Sequence, residues 1–179
     1  MSRSLKYGGS IVCGITAIIA LVQYQHPEIR ISQASLEIIG NAEGCRRDPY
    51  KCPADVITVG IDSTEFGSEK IDPNRLYSDK EIADRWAKDL KIAEGCVNRF
   101  GNGRRIPQCA FDATVSLTFN VGCNTARKST LFRKLNAGDI RGACNEFPRW
   151  VYAGGKKLRG LEIRREKERA LCLTGLVLR

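Results

Sequence analysis

Residues 8 to 22, Gly8 through Val22, carry no charge, and they lie between Arg3 and Lys6 on one side and the polar Gln23-Tyr24-Gln25-His26-Pro27 on the other. As a helix at ~1.5 Å per residue such a run is roughly 22 Å long, short of the ~30 Å hydrocarbon core of a bilayer. Gly8, Gly9, Ser10, Gly14 and Thr16 dilute its hydrophobicity further. The pattern predicts a segment that enters a membrane but holds it weakly. Basic residues before the run and a Pro-containing polar linker after it match an export signal, while Leu21-Val22-Gln23-Tyr24-Gln25 offers no small-x-small cleavage site, so the segment is expected to stay attached. A buried N-terminal core helix is the alternative reading. The division expected on this basis is residues 1–27 as signal-anchor segment and linker, and 28–179 as the main domain.

The remainder has room for a core, since 42% of the 179 residues are apolar. Eight cysteines are too sparse for a scaffold held by disulfides alone, and they fit export to an oxidising compartment. The formal charge is +9, and all of the excess lies after residue 100, where 16 basic side chains face 6 acidic ones. A polyanionic partner follows: nucleic acid, an anionic cell wall and a membrane face all attract such a surface by the same Coulomb term.

The spacing predicts a helix over 33–43, with Leu36, Ile39 and Glu43 on one side and Gly44 as its stop. Residues 45–66 change character, and Val56-Ile57-Thr58-Val59-Gly60-Ile61 reads as part of a hairpin or three-stranded sheet. From Ser78 the pattern is helical again, with a Ser78/Glu81 capping box and an apolar stripe of Ile82, Trp86, Leu90 and Val97. Further helices are expected over 107–121, 129–136, 139–145 and 160–173. A small β region followed by many helices argues α+β.

Glu43 falls at the end of a predicted helix, where the macrodipole disfavours a negative charge, and that suits a proton donor. Its surroundings sharpen the reading. Glu43, Cys52 and Thr58 stand at the spacing of glutamate, eight residues, Asp or Cys, five residues, threonine, which resembles the catalytic region of the T-even type phage lysozymes. The likeness continues through Phe119-Asn120-Val121-Gly122, Ser129 to Asp139, Arg149 to Lys156 and Gly160 to Arg169. It implies a lysozyme-like fold, a small β-containing lobe and a larger helical lobe joined by the long helix, with the glycan in the cleft between. The implied reaction is hydrolysis of the β-1,4 bond between N-acetylmuramic acid and N-acetylglucosamine in peptidoglycan. By the same resemblance Glu43 is the general acid, Cys52 stands in the place of the second catalytic group, as base or nucleophile, and Thr58 helps position water or substrate. Asp48 and Asp55 are nearby carboxylates off the family spacing. Many relatives continue as Thr-x-Gly-x-Gly-His, whereas Thr58-Val59-Gly60-Ile61-Asp62-Ser63 lacks the second glycine and the histidine.

Cys45 and Cys52 bracket this loop and Cys13 sits in the weak membrane segment, a combination that resembles the signal-anchor-release subclass of these endolysins. The resemblance implies an inactive enzyme tethered to the host inner membrane and facing the periplasm, then a soluble periplasmic form. A Cys45–Cys52 disulfide would block the catalytic thiol, and Cys13, once out of lipid, would attack Cys45 and free Cys52. Among Cys96, Cys109, Cys123, Cys144 and Cys172, two pairs and one leftover, Cys109, is the simplest arithmetic, and the pairing stays open. With no CxxC and one histidine, His26, read as a solvated linker residue, neither metal nor cofactor is expected. The expected partner is a peptidoglycan strand, with no nucleic acid, for a monomeric chain. Two rivals remain: a lytic transglycosylase using Glu43 alone, and a non-catalytic cationic membrane-active protein. The interleaved charges of residues 164–169 weaken the second, because opposite charges at helical spacing usually mark a solvated face.

Overall fold

The computed structural model describes residues 11–52, 55–66 and 69–176; Arg3, Lys6 and Gly8 to Ser10 lie outside the described residues. Among the described residues, eight α-helices and two small antiparallel sheets make an α+β fold. Its frame is the helix α3, Asp79–Phe100. The capping box is formed: the Ser78 hydroxyl accepts from the Glu81 amide while the Glu81 carboxylate accepts from the Ser78 amide at 2.9 Å. Ile82, Trp86, Leu90 and Val97 are all buried, as the stripe predicts. Against α3 lies α4, Gln108–Val121, which is buried on every side from Ala110 to Thr118 and is therefore the central helix of the larger lobe. On it pack α5 (Cys123–Ala126) and the long α8 (Arg159–Thr174), while α6 (Thr130–Asn136) packs on α7 (Ile140–Cys144), which in turn meets α8.

The smaller lobe starts with α2, Gln33–Glu43, whose Leu36 and Ile39 are fully buried. A three-stranded sheet follows, β1 (Arg46–Lys51), β2 (Ile57–Gly60) and β3 (Ser63–Thr64), in which Tyr50 faces Thr58 and Thr58 faces Thr64. The short hairpin of β4 (Tyr152–Ala153) and β5 (Lys156–Lys157) has no counterpart in the expected elements. Gly155 at φ +74° and Gly154 at φ +56° form its turn, which two glycines allow at no steric cost.

The uncharged run supplies the remaining helix. Ile15–Gln25 form α1, about 16 Å long, which packs on α2 and α3 with Ile18, Ile19 and Val22 buried. Among the described residues no helix is long and apolar enough to cross a membrane. One position in α2 makes the docking possible: a Cβ on Gly40 would lie 2.7 Å from Cγ2 of Ile15, so only glycine lets α1 seat this closely. Ahead of α1 the chain runs along β1, with the Arg47 amide donating to the Ile11 carbonyl at 2.7 Å and a Cys13–Cys45 disulfide joining the two.

Two expectations from charge pattern are corrected. Only half of residues 164–169 are a solvated face: Glu166, Lys167 and Arg169 are exposed, whereas Arg164, Arg165 and Glu168 are turned into the core, 4%, 1% and 0% exposed. Each guanidinium is matched there by carboxylate and carbonyl oxygens, which is what makes such burial tolerable. His26 is likewise half-buried, with Nε2 2.9 Å from Asp84 on α3 and Nδ1 3.4 Å from Glu28, so it fastens the end of α1 to the long helix.

Candidate active site

Glu43 is the last residue of α2, and Gly44, at φ +75°, turns the chain out of the helix directly behind it. The carboxylate is thereby left on the wall of a cleft of about 450 Å³ between the lobes, opposite Asn120 of α4 and the first turns of α8. Arg164 reaches across from α8, its Nη1 2.5 Å from Glu43 Oε1. The other donors of the same guanidinium go to Glu168 Oε1 at 3.1 Å and the Ser116 carbonyl at 3.0 Å. The Glu43 carboxylate is therefore paired with a buried cation that is itself fixed by groups of α4 and α8. Arg165 is pinned beside it by Glu168, the Trp150 carbonyl and Asn120.

Cys52 follows β1 directly. Its thiol is free and half-buried, and its backbone is held in a tight loop by the Val56 carbonyl at 3.0 Å and the Asp55 amide at 2.8 Å. Thr58 lies across from Tyr50 on β2, fully buried, its hydroxyl donating to the Val56 carbonyl at 3.1 Å. Burial raises the pKa of Tyr50, and the charges of Asp62, Glu43 and Cys52 add to the rise while Arg46 opposes it. Asp48 and Asp55 are engaged elsewhere. The Arg46 guanidinium holds Asp48 below the usual carboxylate range, with the Ile11 amide also donating to it, and Asp55 pairs with Lys51 at 2.7 Å.

Sequence reasoning did not assign Arg164 or Asp62 to this site. The Arg164–Arg165 pair was visible only as part of a mixed-charge run, and nothing local to the sequence tells that α8 turns it toward α2. Asp62, noted only as a missing glycine, sits at φ +53° in the turn from β2 to β3. It lines a smaller recess of about 180 Å³ with Asp89, Thr118 and Phe119, separate from the cleft that Glu43 lines. Asp62 is an exposed residue whose carboxyl is nevertheless pushed up to about 6, first by partial loss of surrounding water, then by the charge of Glu43, with Arg164 opposing. Asp89 is also raised to about 6, chiefly by burial, against the hydrogen bond it accepts from Ser63 at 2.5 Å. Ser63, where many relatives carry histidine, thus meets a carboxylate of α3.

The disulfides divide the cysteines cleanly. Cys13 pairs with Cys45, Cys96 with Cys123, and Cys144 with Cys172, leaving Cys52 and Cys109 as free thiols. The first ties the start of α1 to the residue after Gly44; the others tie α3 to α5 and α7 to α8.

The phage lysozyme family profile matches residues 40–168. A curated SAR-endolysin of Escherichia phage P1 is 43% identical over 188 aligned residues, covering 99% of each chain. The crystal structure of the active form of the P1 phage endolysin superposes with a TM-score of 0.85 at 43% identity, covering 96% of this chain and 99% of that one. The secreted inactive form of the same endolysin, at 44% identity, reaches only 0.57 over 82% of this chain and 97% of that one. At nearly equal sequence distance, the conformation seen here is more similar to the active form of that endolysin than to its inactive form. With the profile spanning both lobes and a relative 43% identical over nearly the full length, the chain belongs to the phage lysozyme family.

Proposed function

We propose that this endolysin-type muramidase cleaves the β-1,4 bond between N-acetylmuramic acid and N-acetylglucosamine with Glu43 as general acid. Cys52 then serves as the second group, acting on water or on the sugar. Thr58, whose proton is directed to the Val56 carbonyl, has lone pairs left to orient a water or a substrate hydroxyl. Arg164 fixes the Glu43 side chain in the cleft, supplying the pre-organisation that proton transfer at a leaving oxygen needs.

Residues 1–27 act as signal anchor and linker and 28–179 as the catalytic domain, two units that become one core when α1 docks. In the tethered state, at the inner membrane and facing the periplasm, Cys45 and Cys52 are bonded and the enzyme is silent. On release the Cys13 thiolate attacks Cys45, the Cys13–Cys45 bond forms, and Cys52 leaves as a thiolate, so electrons balance without an added oxidant. The released enzyme works as a monomer on peptidoglycan in the periplasm, and nucleic acid is no partner. The observation that carries this reading is the Cys13–Cys45 disulfide beside a free Cys52.

Disulfide mapping by mass spectrometry on the membrane-bound and the soluble protein, with turbidity loss on peptidoglycan recorded in parallel, tests it. Cys45–Cys52 is expected in the silent sample and Cys13–Cys45 in the lytic one, and Glu43→Gln should remove nearly all lysis from the latter. A fully lytic sample that retains Cys45–Cys52 would overturn the exchange and Cys52 as the second group.

A further inference from the structure

We infer that Lys167 is a specificity-determining residue of the Glu43 cleft: its ammonium takes a carboxylate carried on the lactyl arm of N-acetylmuramic acid, either the arm's own or one on the peptide attached there. The inference rests on the reading of this cleft as the peptidoglycan site.

Two cations line the same cleft as Glu43, and they differ in what they are free to bind. Arg164 is buried and saturated: Nη1 holds Glu43, Nε holds Glu168 and Nη2 the Ser116 carbonyl. Lys167, a turn farther along α8, is exposed, and among the described residues it makes no ion pair. Its own helix cannot supply one, because the positions three and four residues away are Ile163, Arg164, Ala170 and Leu171, none of them acidic. The ammonium is therefore a mobile point charge on a flexible stem. The wall around it is apolar, with Leu161 beside Leu158 and Ile163, two large hydrophobic side chains left exposed. A free cation among exposed apolar groups suits a carboxylate on a short alkyl arm. The glycan offers that chemistry on one of its two sugars: N-acetylmuramic acid carries a lactyl ether, and N-acetylglucosamine carries no acid. In the intact wall the lactyl carboxyl is amide-linked to a peptide, whose own carboxylates then take its place. A contact of this kind sets which sugar lies on the Lys167 side of Glu43.

The test is steady-state kinetics at fixed low ionic strength on short glycan fragments of three kinds: bearing peptides, stripped of peptides by an amidase, and stripped with the lactyl carboxyls then converted to amides. The parent should show a lower KM for the charged fragments than for the neutral ones. Lys167→Met should shrink that ratio about three- to fivefold, the size of one exposed ion pair, with kcat changed less, and Lys167→Arg should restore it. Lys128→Met removes the same unit of charge from an exposed site that does not line the cleft, and it should leave the ratio as in the parent. A preference lost on peptide-bearing fragments assigns the carboxylate to the peptide, and one lost on stripped charged fragments assigns it to the lactyl arm. An unchanged ratio in Lys167→Met overturns the inference, and so does an equal fall in Lys128→Met, which would reduce the effect to net charge. Fragments still cleaved by Glu43→Gln would instead sink the reading of the cleft itself, whatever Lys167 does.

Discussion

At the scale of single residues, the oxygens that Arg164 satisfies decide how the site is held. Its guanidinium links Glu43 at the cleft to Glu168 in the core and to the Ser116 carbonyl, while Glu168 also accepts from Ser116 Oγ at 2.6 Å and from Arg165. Replacing Arg164 by methionine keeps the length but strands a fully buried carboxylate with one cation fewer. We expect Arg164→Met to lose about 3–5 kcal/mol of stability in denaturant titration, the usual cost of breaking a buried pair, and to lower kcat because the Glu43 side chain is no longer fixed. Much of this was out of reach in the sequence. Glu43, Cys52 and Thr58 were legible because family spacing along one chain segment fixes them. Arg164 was not, since a buried ion network across 121 residues leaves no local periodicity, and mixed charges on a helix usually face water.

At the scale of elements, helix limits followed local chemistry closely. The capping box set the start of α3 and Gly44 the end of α2, because both are backbone-satisfaction problems solved within a few residues. The fate of the uncharged run was harder to read. Its length and composition describe a poor membrane span and a good core helix equally well, and what decides between them here is α2. Gly40 opens a notch one turn before Glu43 into which Ile15 fits, with Trp86 behind at 3.6 Å. A side chain at that position therefore opposes the docking of α1 more than it disturbs α2 itself. Gly40→Val should leave the rest of the fold formed but cost about 1–3 kcal/mol by overpacking, and should expose α1 to proteolysis in the soluble protein. Equal resistance of α1 in variant and parent would show that the notch does not control docking.

At the scale of the whole molecule, charge is distributed unevenly between surface and site. The chain carries +9, with the excess after residue 100. Yet Glu43 lies in a cleft whose cations are Arg164, already engaged by carboxylates, and the single Lys167, and the smaller recess is lined by Asp62 and Asp89. Overall basicity and catalytic chemistry therefore reside in different places. The exposed cations attract an anionic wall over a distance set by screening, and the cleft then acts on an uncharged glycosidic bond. Salt should separate the two roles. Between 50 and 200 mM salt the Debye length shortens from ~14 to ~7 Å, so long-range attraction weakens while contacts inside the cleft change little. On intact sacculi we expect apparent KM to rise several-fold across that range with kcat nearly constant, and on short uncharged glycan fragments neither to change appreciably. A salt-dependent kcat on the uncharged fragments would mean instead that the buried Arg164 network itself responds to ions, and that site and surface are not electrostatically separate.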